Sequence, residues 1–397
     1  MTRRALAALA VPAFLFLSHA VLGAPARTLD PTLSLRAAMD PIVLSSRVVG
    51  HGELPRSAKV AFRLRVATSL THPPIVTRER TIVLAHADPM LAEYDGRGRL
   101  LWAARLGASP AATGPFVFAD GTRAVVTEGG ELIGFSARGR AVRRERLPLG
   151  ALGPGLLLEG TTDGGLLLSQ GQRLIRLDAL GTVVSDTRLK FELRALLTGV
   201  ALASPSVAPL TPLLVSAGGS VLELAWDGRA SFRARFSGAV SDAVRLDARR
   251  VLAVLDERRL VELDITEGTE STRLEAPDLE LSSLLAVNRS GEVRVLSSGD
   301  LLLAFDARGA ERFRVPLAPP GASSSAKGAS ELLLDRAGTA LVVGGGFGTV
   351  TVGADGQSTR LEGASCPEPL RPAWFSFASV LIACRSGVLL KLDRSGS

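Results

Sequence analysis

Histidine, tyrosine and cysteine, which carry much of acid–base, radical and thiol chemistry, are nearly missing from this sequence. Its 397 residues include four histidines, one tyrosine and two cysteines. His19 lies in an apolar N-terminal run, His51 in a leader segment, His72 before a Pro-Pro pair and His86 in a hairpin turn. No serine stands out as the nucleophile that such a histidine would activate, so no catalytic constellation is expected. A large excess of one charge is also missing. Lys and Arg number 46 against 39 Asp and Glu, a formal charge of +7, of which Arg3 and Arg4 supply two. The one arginine cluster is Arg138, Arg140, Arg143, Arg144 and Arg146, with no aromatic residues between them. A stacking platform for single-stranded nucleic acid needs that interleaving, so the cluster reads as a solvated strand face and no nucleic-acid partner is expected. After Ala26 every apolar run is broken well short of the roughly 20 residues that a spanning helix needs.

What is present begins with an export signal. Met1-Thr-Arg3-Arg4 is a short positive start, an apolar stretch runs from Ala5 to Val21, and Gly23, Ala24 and Ala26 supply the small residues of a cleavage site. This three-part layout reads as a secretory signal over residues 1–26, removed on export; the alternative is an uncleaved anchor helix. The mature chain is then expected in the periplasm or outside the cell, with no membrane span after cleavage. Residues 27–57 read as an irregular leader. The remaining chain is rich in apolar residues (46% overall) and in glycine (41 residues), the composition of apolar strands joined by tight turns.

One phrase recurs throughout residues 58–397. "LLLAFDARG" ends at Gly309, "ELIGFSARG" at Gly139, "RLIRLDALG" at Gly181 and "VLLKLDRSG" at Gly396, with looser copies ending at Gly98, Gly228, Gly268 and Gly356. The steps between successive glycines are 41, 42, 47, 40, 41, 47 and 40 residues. Each unit reads as four short strands: one upstream, a hairpin such as "VLAVLDERRLVELD", and one after the anchor glycine. Four strands in about forty residues make one propeller blade. Asp95, Asp178, Asp306 and Asp393 stand three residues before their glycines, with Ser136 in the same place. A short polar side chain there accepts a backbone hydrogen bond two residues on and closes the turn, so these residues read as structural. The expected fold is all-β: an eight-bladed β-propeller of four-stranded blades, or seven blades if the terminal units do not complete one. The last unit has no room for its fourth strand. "KVAFRLRVA", Lys59 to Ala67, is expected to supply it and fasten the ends of the ring.

The pattern of apolar strand, Asp, two residues, Gly, three residues and Trp resembles the quinoprotein-type, or PQQ-like, propeller repeat. "LAEYDGRGRLLW", ending at Trp102, is the fullest copy. The family includes quinone-dependent alcohol and glucose dehydrogenases and non-catalytic envelope proteins, among them the propeller lipoprotein of the outer-membrane β-barrel assembly machine. The resemblance implies a tryptophan that docks blade on blade. Here Trp102 keeps that role, Phe232 and Phe313 are expected to replace it, and Arg143, Ser185, Thr272 and Arg360 are not. The adjacent cysteine pair of the quinone enzymes is missing, so no cofactor is expected. Cys366 and Cys384 are expected to form one disulfide in an oxidising compartment, two free buried thiols being the alternative. "GGGFG" at Gly344 to Gly348 lies between two strands, without the helix N-terminus of a phosphate loop, and reads as a hairpin turn. Trp226 and Trp374, at strand positions, read as core or blade-packing residues, and Asn288-Arg-Ser matches a glycosylation sequon by pattern. The expected function is non-catalytic binding of a protein or peptide by a monomeric ring. An enzyme with a ligand in the central channel is the alternative.

Overall fold

A computed structural model describes residues 52–54, 58–66, 68–153, 155–161, 163–199, 210–297, 300–318, 330–344 and 346–394. Residues 1–26, read above as an export signal, most of the expected leader and Gly396 lie outside the described residues. Among these, thirty-two strands form eight four-stranded antiparallel sheets, and there are no helices. In the first seven blades the strands run in sequence order: residues 75–105, 116–146, 157–188, 193–235, 240–275, 281–316 and 330–360. The first strand of each blade is innermost; those of blades 3 to 7 meet in succession, and that of blade 8 meets that of blade 1. Blade 8 takes three strands from residues 373–394 and its outermost strand, Ala58–Arg65, from the start of the ring. Eight blades are therefore closed by the first strand, as the repeat implies. Both long 47-residue steps contain a stretch outside the described residues, 200–209 and 319–329.

Each blade packs on both sides, and this explains the sequence pattern of its middle strands. Ile82–His86, Val293–Ser297 and Ser379–Cys384 are buried at every position, so they read as continuous apolar runs instead of alternating ones. The core is accordingly divided into eight layers, one between each pair of neighbouring blades. The layer between blades 8 and 1 holds Leu84, Ala92, Leu381 and Leu389, with Phe62 and Leu64 of the opening strand packed against it. Ahead of that strand, Leu54 N donates to Asp335 Oδ2 at 2.7 Å and Glu53 N to Phe377 O at 2.8 Å, which pins the end of the leader to blades 7 and 8.

The anchor glycines mark where blades dock. Gly98, Gly139, Gly181, Gly228, Gly268, Gly309 and Gly356 all have φ between 70° and 86°, the left-handed region that glycine enters without penalty. Most also face a side chain from the outermost strand of the preceding blade. Trp102 lies against Gly139, Phe313 against Gly356, and Phe62 and Leu64 against Gly98. Three expectations need correction, because Arg143 and Ser185 dock and Phe232 does not. Arg143 does dock: its guanidinium lies against Gly181 and Nη1 donates to Leu180 O. Phe232 does not, because it points into solvent and nothing lies within 4 Å of the Cβ position of Gly268. In blades 3 and 5 the docking residues are Ser185 with Thr187, against Gly228, and Arg273, against Gly309. A bulge between Leu260 and Val261 in the strand pairing accompanies the docking of Arg273 instead of Thr272.

Two glycine substitutions separate turn geometry from docking. Gly268→Ala introduces a side chain at positive φ into open space and is expected to cost roughly 1–2 kcal/mol. Gly139→Ala adds a Cβ that would lie 2.7 Å from Trp102 Cγ, and is expected to cost about 1–3 kcal/mol more, as overpacking does. Urea denaturation of the two variants beside the parent chain checks the difference.

Candidate interaction surface

The repeated aspartates are consumed inside their own turns. Asp95 Oδ1 accepts from the backbone N–H groups of Arg97 and Arg99, both at 2.9 Å. Asp178 Oδ1 accepts from Leu180 at 2.9 Å and Thr182 at 2.8 Å, and Asp306 Oδ1 from Arg308 and Ala310 at 2.9 Å. Ser136 makes the same contacts at 3.4 and 3.3 Å. The backbone N–H of Arg99 holds the Asp95 carboxyl below the usual carboxylate range, and that of Ala310 does the same for Asp306. Asp393 differs. It sits within the closing strand opposite Ser379 and Lys59, with Oδ2 3.4 Å from Lys391 Nζ, and Gly396 lies outside the described residues.

The scarce reactive residues are scattered; His86, Tyr94, Cys366 and Cys384 are buried by packing and His72 is partly buried. His72 Nε2 is 3.0 Å from Ala111 O, an acceptor, so this nitrogen carries the proton. His86 Nδ1 meets the Thr68 hydroxyl at 2.8 Å, and burial pushes both imidazoles below their ordinary pKa. Neither is hydrogen-bonded to both a serine and a carboxylate. His19 and His51 lie outside the described residues. Cys366 and Cys384 are joined in a disulfide with Cα atoms 5.6 Å apart, which ties the connection entering blade 8 to one of that blade's middle strands. Asn288 is buried, with Oδ1 accepting from Ser290 and Glu292 N–H groups and Nδ2 donating to Glu292. The sequon is thus closed to modification in the folded chain. Gly344 and Gly348 end two paired strands, with Phe347 buried in the hairpin between them.

The buried charges serve blade-to-blade contacts. Glu93 of blade 1 accepts from Arg123 Nε and Nη2 of blade 2, each at 3.0 Å, from Trp102 Nε1 at 2.9 Å and from the Thr81 hydroxyl. Arg176 of blade 3 lies 4.0 Å from the ring centre of Trp226 in blade 4 and donates to its carbonyl, placing Trp226 in a turn instead of a strand. Arg294, with no exposed side-chain surface, donates to Gly338 O of blade 7 at 2.8 Å. Among the described residues no group of three or more His, Cys, Asp and Glu side chains is placed to hold a metal ion, and no helix is long and apolar enough to cross a membrane.

The feature left without a structural role, the contact of Trp226 with Arg176 apart, is on the outer rim. Eight large apolar side chains are exposed among the described residues. Seven belong to blades 1–4, on the outermost strands (Leu100, Leu101, Val142, Val184, Phe232) or in the turns that precede them (Leu180, Trp226). The eighth, Phe377, lies in blade 8. The outermost strands of blades 5–7, Thr269–Glu275, Glu311–Pro316 and Ser358–Arg360, expose none. Sequence reading missed this asymmetry because an apolar residue in a strand looks the same on an outer edge as in a core.

No protein-family model matches the chain, and no curated protein matches it by sequence. Its fold is similar to that of solved structures. BamB from Moraxella catarrhalis superposes with a TM-score of 0.59 and 16% identity, covering 85% of this chain and 99% of that one. The computationally designed Ika8 protein gives 0.60 and 13%, covering 87% and 100%. Virginiamycin B lyase from Staphylococcus aureus gives 0.52 and 8%, covering 85% and 99%. At such identities the likeness concerns the fold. The chain is an eight-bladed β-propeller.

The turn carboxylates give a pH signature. A carboxyl held low in the folded state contributes stability above its unfolded pKa, about 3.9 for Asp, and that contribution is lost as pH falls through the lower native value. Asp306→Ala is therefore expected to destabilise the protein at neutral pH. The gap to the parent chain should narrow as pH drops below 4, a trend that thermal melts across this range would read.

Proposed function

We propose that this protein is a non-catalytic, exported binding module, whose closed ring holds a protein or peptide partner in the cell envelope or outside the cell. The observation that carries this reading is that seven of the eight exposed large apolar side chains among the described residues lie on the outer rim of blades 1–4. Exposed apolar surface on a soluble ring costs free energy unless something covers it, and a random scatter would spread over all blades. The remaining chemistry favours the same reading. The repeated aspartates close turns, the described histidines are packing residues whose pKa burial lowers, and the buried charges join blades. We read the repeats as a PQQ-like set that keeps the docking geometry and not the quinone site. The similarity of fold to BamB agrees with the non-catalytic branch that this resemblance implies. The N-terminal signal supports export, with residues 1–26 removed.

Native mass spectrometry of the protein from the cells that produce it, before and after mild denaturation, tests the proposal. The expected result is a chain without residues 1–26, two hydrogens lighter for the disulfide, and a second polypeptide released on unfolding. A metal or organic cofactor bound to the isolated ring and lost on unfolding would overturn it.

A further inference from the structure

The outermost strand of a blade has one edge without a neighbouring strand, and in blades 1–3 alternate side chains point outward. Three residues beyond the turn glycine, the outward position is Leu101 in blade 1, Val142 in blade 2 and Val184 in blade 3, with 52%, 55% and 50% of their surface exposed. In blade 4 the apolar residue comes one place later, as Phe232 at 62%. The same four strands end in Arg105, Arg146, Arg188 and Arg235, all exposed, and no acidic side chain among the described residues pairs with any of them. Four consecutive blades thus repeat one arrangement: an apolar side chain near the turn end of the outer strand and a free guanidinium at the other end. In blades 5–7 the position three residues beyond the glycine is Ser271, Arg312 or Thr359. Charge on an outer strand guards it against unwanted pairing. Exposed apolar side chains do the reverse, so edge protection accounts for blades 5–7 and leaves blades 1–4 unexplained.

We propose that the outer rim of blades 1–4 docks a separate polypeptide segment that carries both acidic and apolar side chains. The inference rests on the reading of the protein as a binding module and names the chemistry of its partner. Guanidinium groups bind carboxylates in a paired, directional geometry, and the apolar row supplies the buried contact. Other occupants fit less well. Eight blades turn the ring by about 45° each, so blades 1 to 4 face across about 135° and a planar bilayer touches no more than neighbouring blades together. A second copy would offer the exposed acids of blade 5 and its outgoing loop, Glu257, Glu275, Asp278 and Glu280. The outer strand there exposes no large apolar residue to match the row, and a two-fold contact would set arginine against arginine. The leader, residues 27–57, holds four arginines and three acids, the wrong balance.

The test places a photo-reactive amino acid at Val142 or Val184 in the full chain, in the cells that produce it, with Arg312 of blade 6 as the control position. The expected result is one polypeptide captured from both rim positions and not from Arg312, through a segment of net negative charge that contains apolar residues. Capture should fall about tenfold in the variant Arg146→Glu, Arg188→Glu, while its melting temperature stays near that of the parent. Adducts to lipid, to a second copy or to residues 27–51 would overturn the proposal. So would capture that survives charge reversal. A partner that co-purifies yet is captured from Phe377 and from neither rim position would sink this inference and leave the binding-module reading standing. A ring that yields no adduct and carries a bound cofactor would sink both.

Discussion

The pairing of the first strand with the last is the constraint on which the rest of the ring depends. No blade buries its own faces; each core layer exists because a second blade supplies the other side. An open ring would leave one layer half built and two flat sheets exposed. Ala58–Arg65 prevents this by pairing with Val388–Arg394 over almost its whole length. A bulge between Val60 and Phe62 breaks the side-chain alternation. Val60 consequently packs on the layer toward blade 7, while Phe62 and Leu64 pack toward blade 1, beside Gly98. The Cys366–Cys384 disulfide lies in the same blade, so the blade assembled from both chain ends also holds the cross-link.

Around the ring one docking geometry is met by different chemistry. Trp102 and Phe313 fill the space beside the next glycine with aromatic surface, Arg143 adds a hydrogen bond to a carbonyl, and Ser185 with Thr187 makes do with small polar groups. The conserved element of the design is therefore the gap that each turn glycine leaves. This tolerance explains how a chain sharing 16% identity with another propeller keeps the same ring. Between blades 4 and 5 Gly268 receives no such side chain, and there the outer strand instead exposes Phe232.

Features governed by local chemistry were legible in the sequence. The period of the glycines, their positive φ and the turn-closing carboxylates of Asp95, Asp178 and Asp306 depend on a few neighbouring residues, so blade number and closure could be read directly. Features set by register were not. Arg273, the neighbour of Thr272, docks across a bulge that no residue type announces, and Arg143 docks through a guanidinium where no docking side chain was expected. Asn288 looks accessible as a tripeptide and is buried by the blade around it. The rim surface is legible once the outermost strand of each blade is known and the blades are compared position by position. Leu101, Val142 and Val184 then separate from Ser271, Arg312 and Thr359.

A closed ring makes that rim a fixed surface, with its side chains held in place by the layers beneath, which lowers the entropic cost of binding. Hydrogen–deuterium exchange of the protein tests closure most directly, because protection of a paired amide rises with the free energy of opening the pair. Closure by the opening strand predicts that the amides of 58–65 that pair with 388–394 exchange as slowly as their partners there and on the timescale of the inner strands. Rapid exchange of 58–65 while the other blades stay protected would show that the ring holds without it, and would contradict the architecture described here.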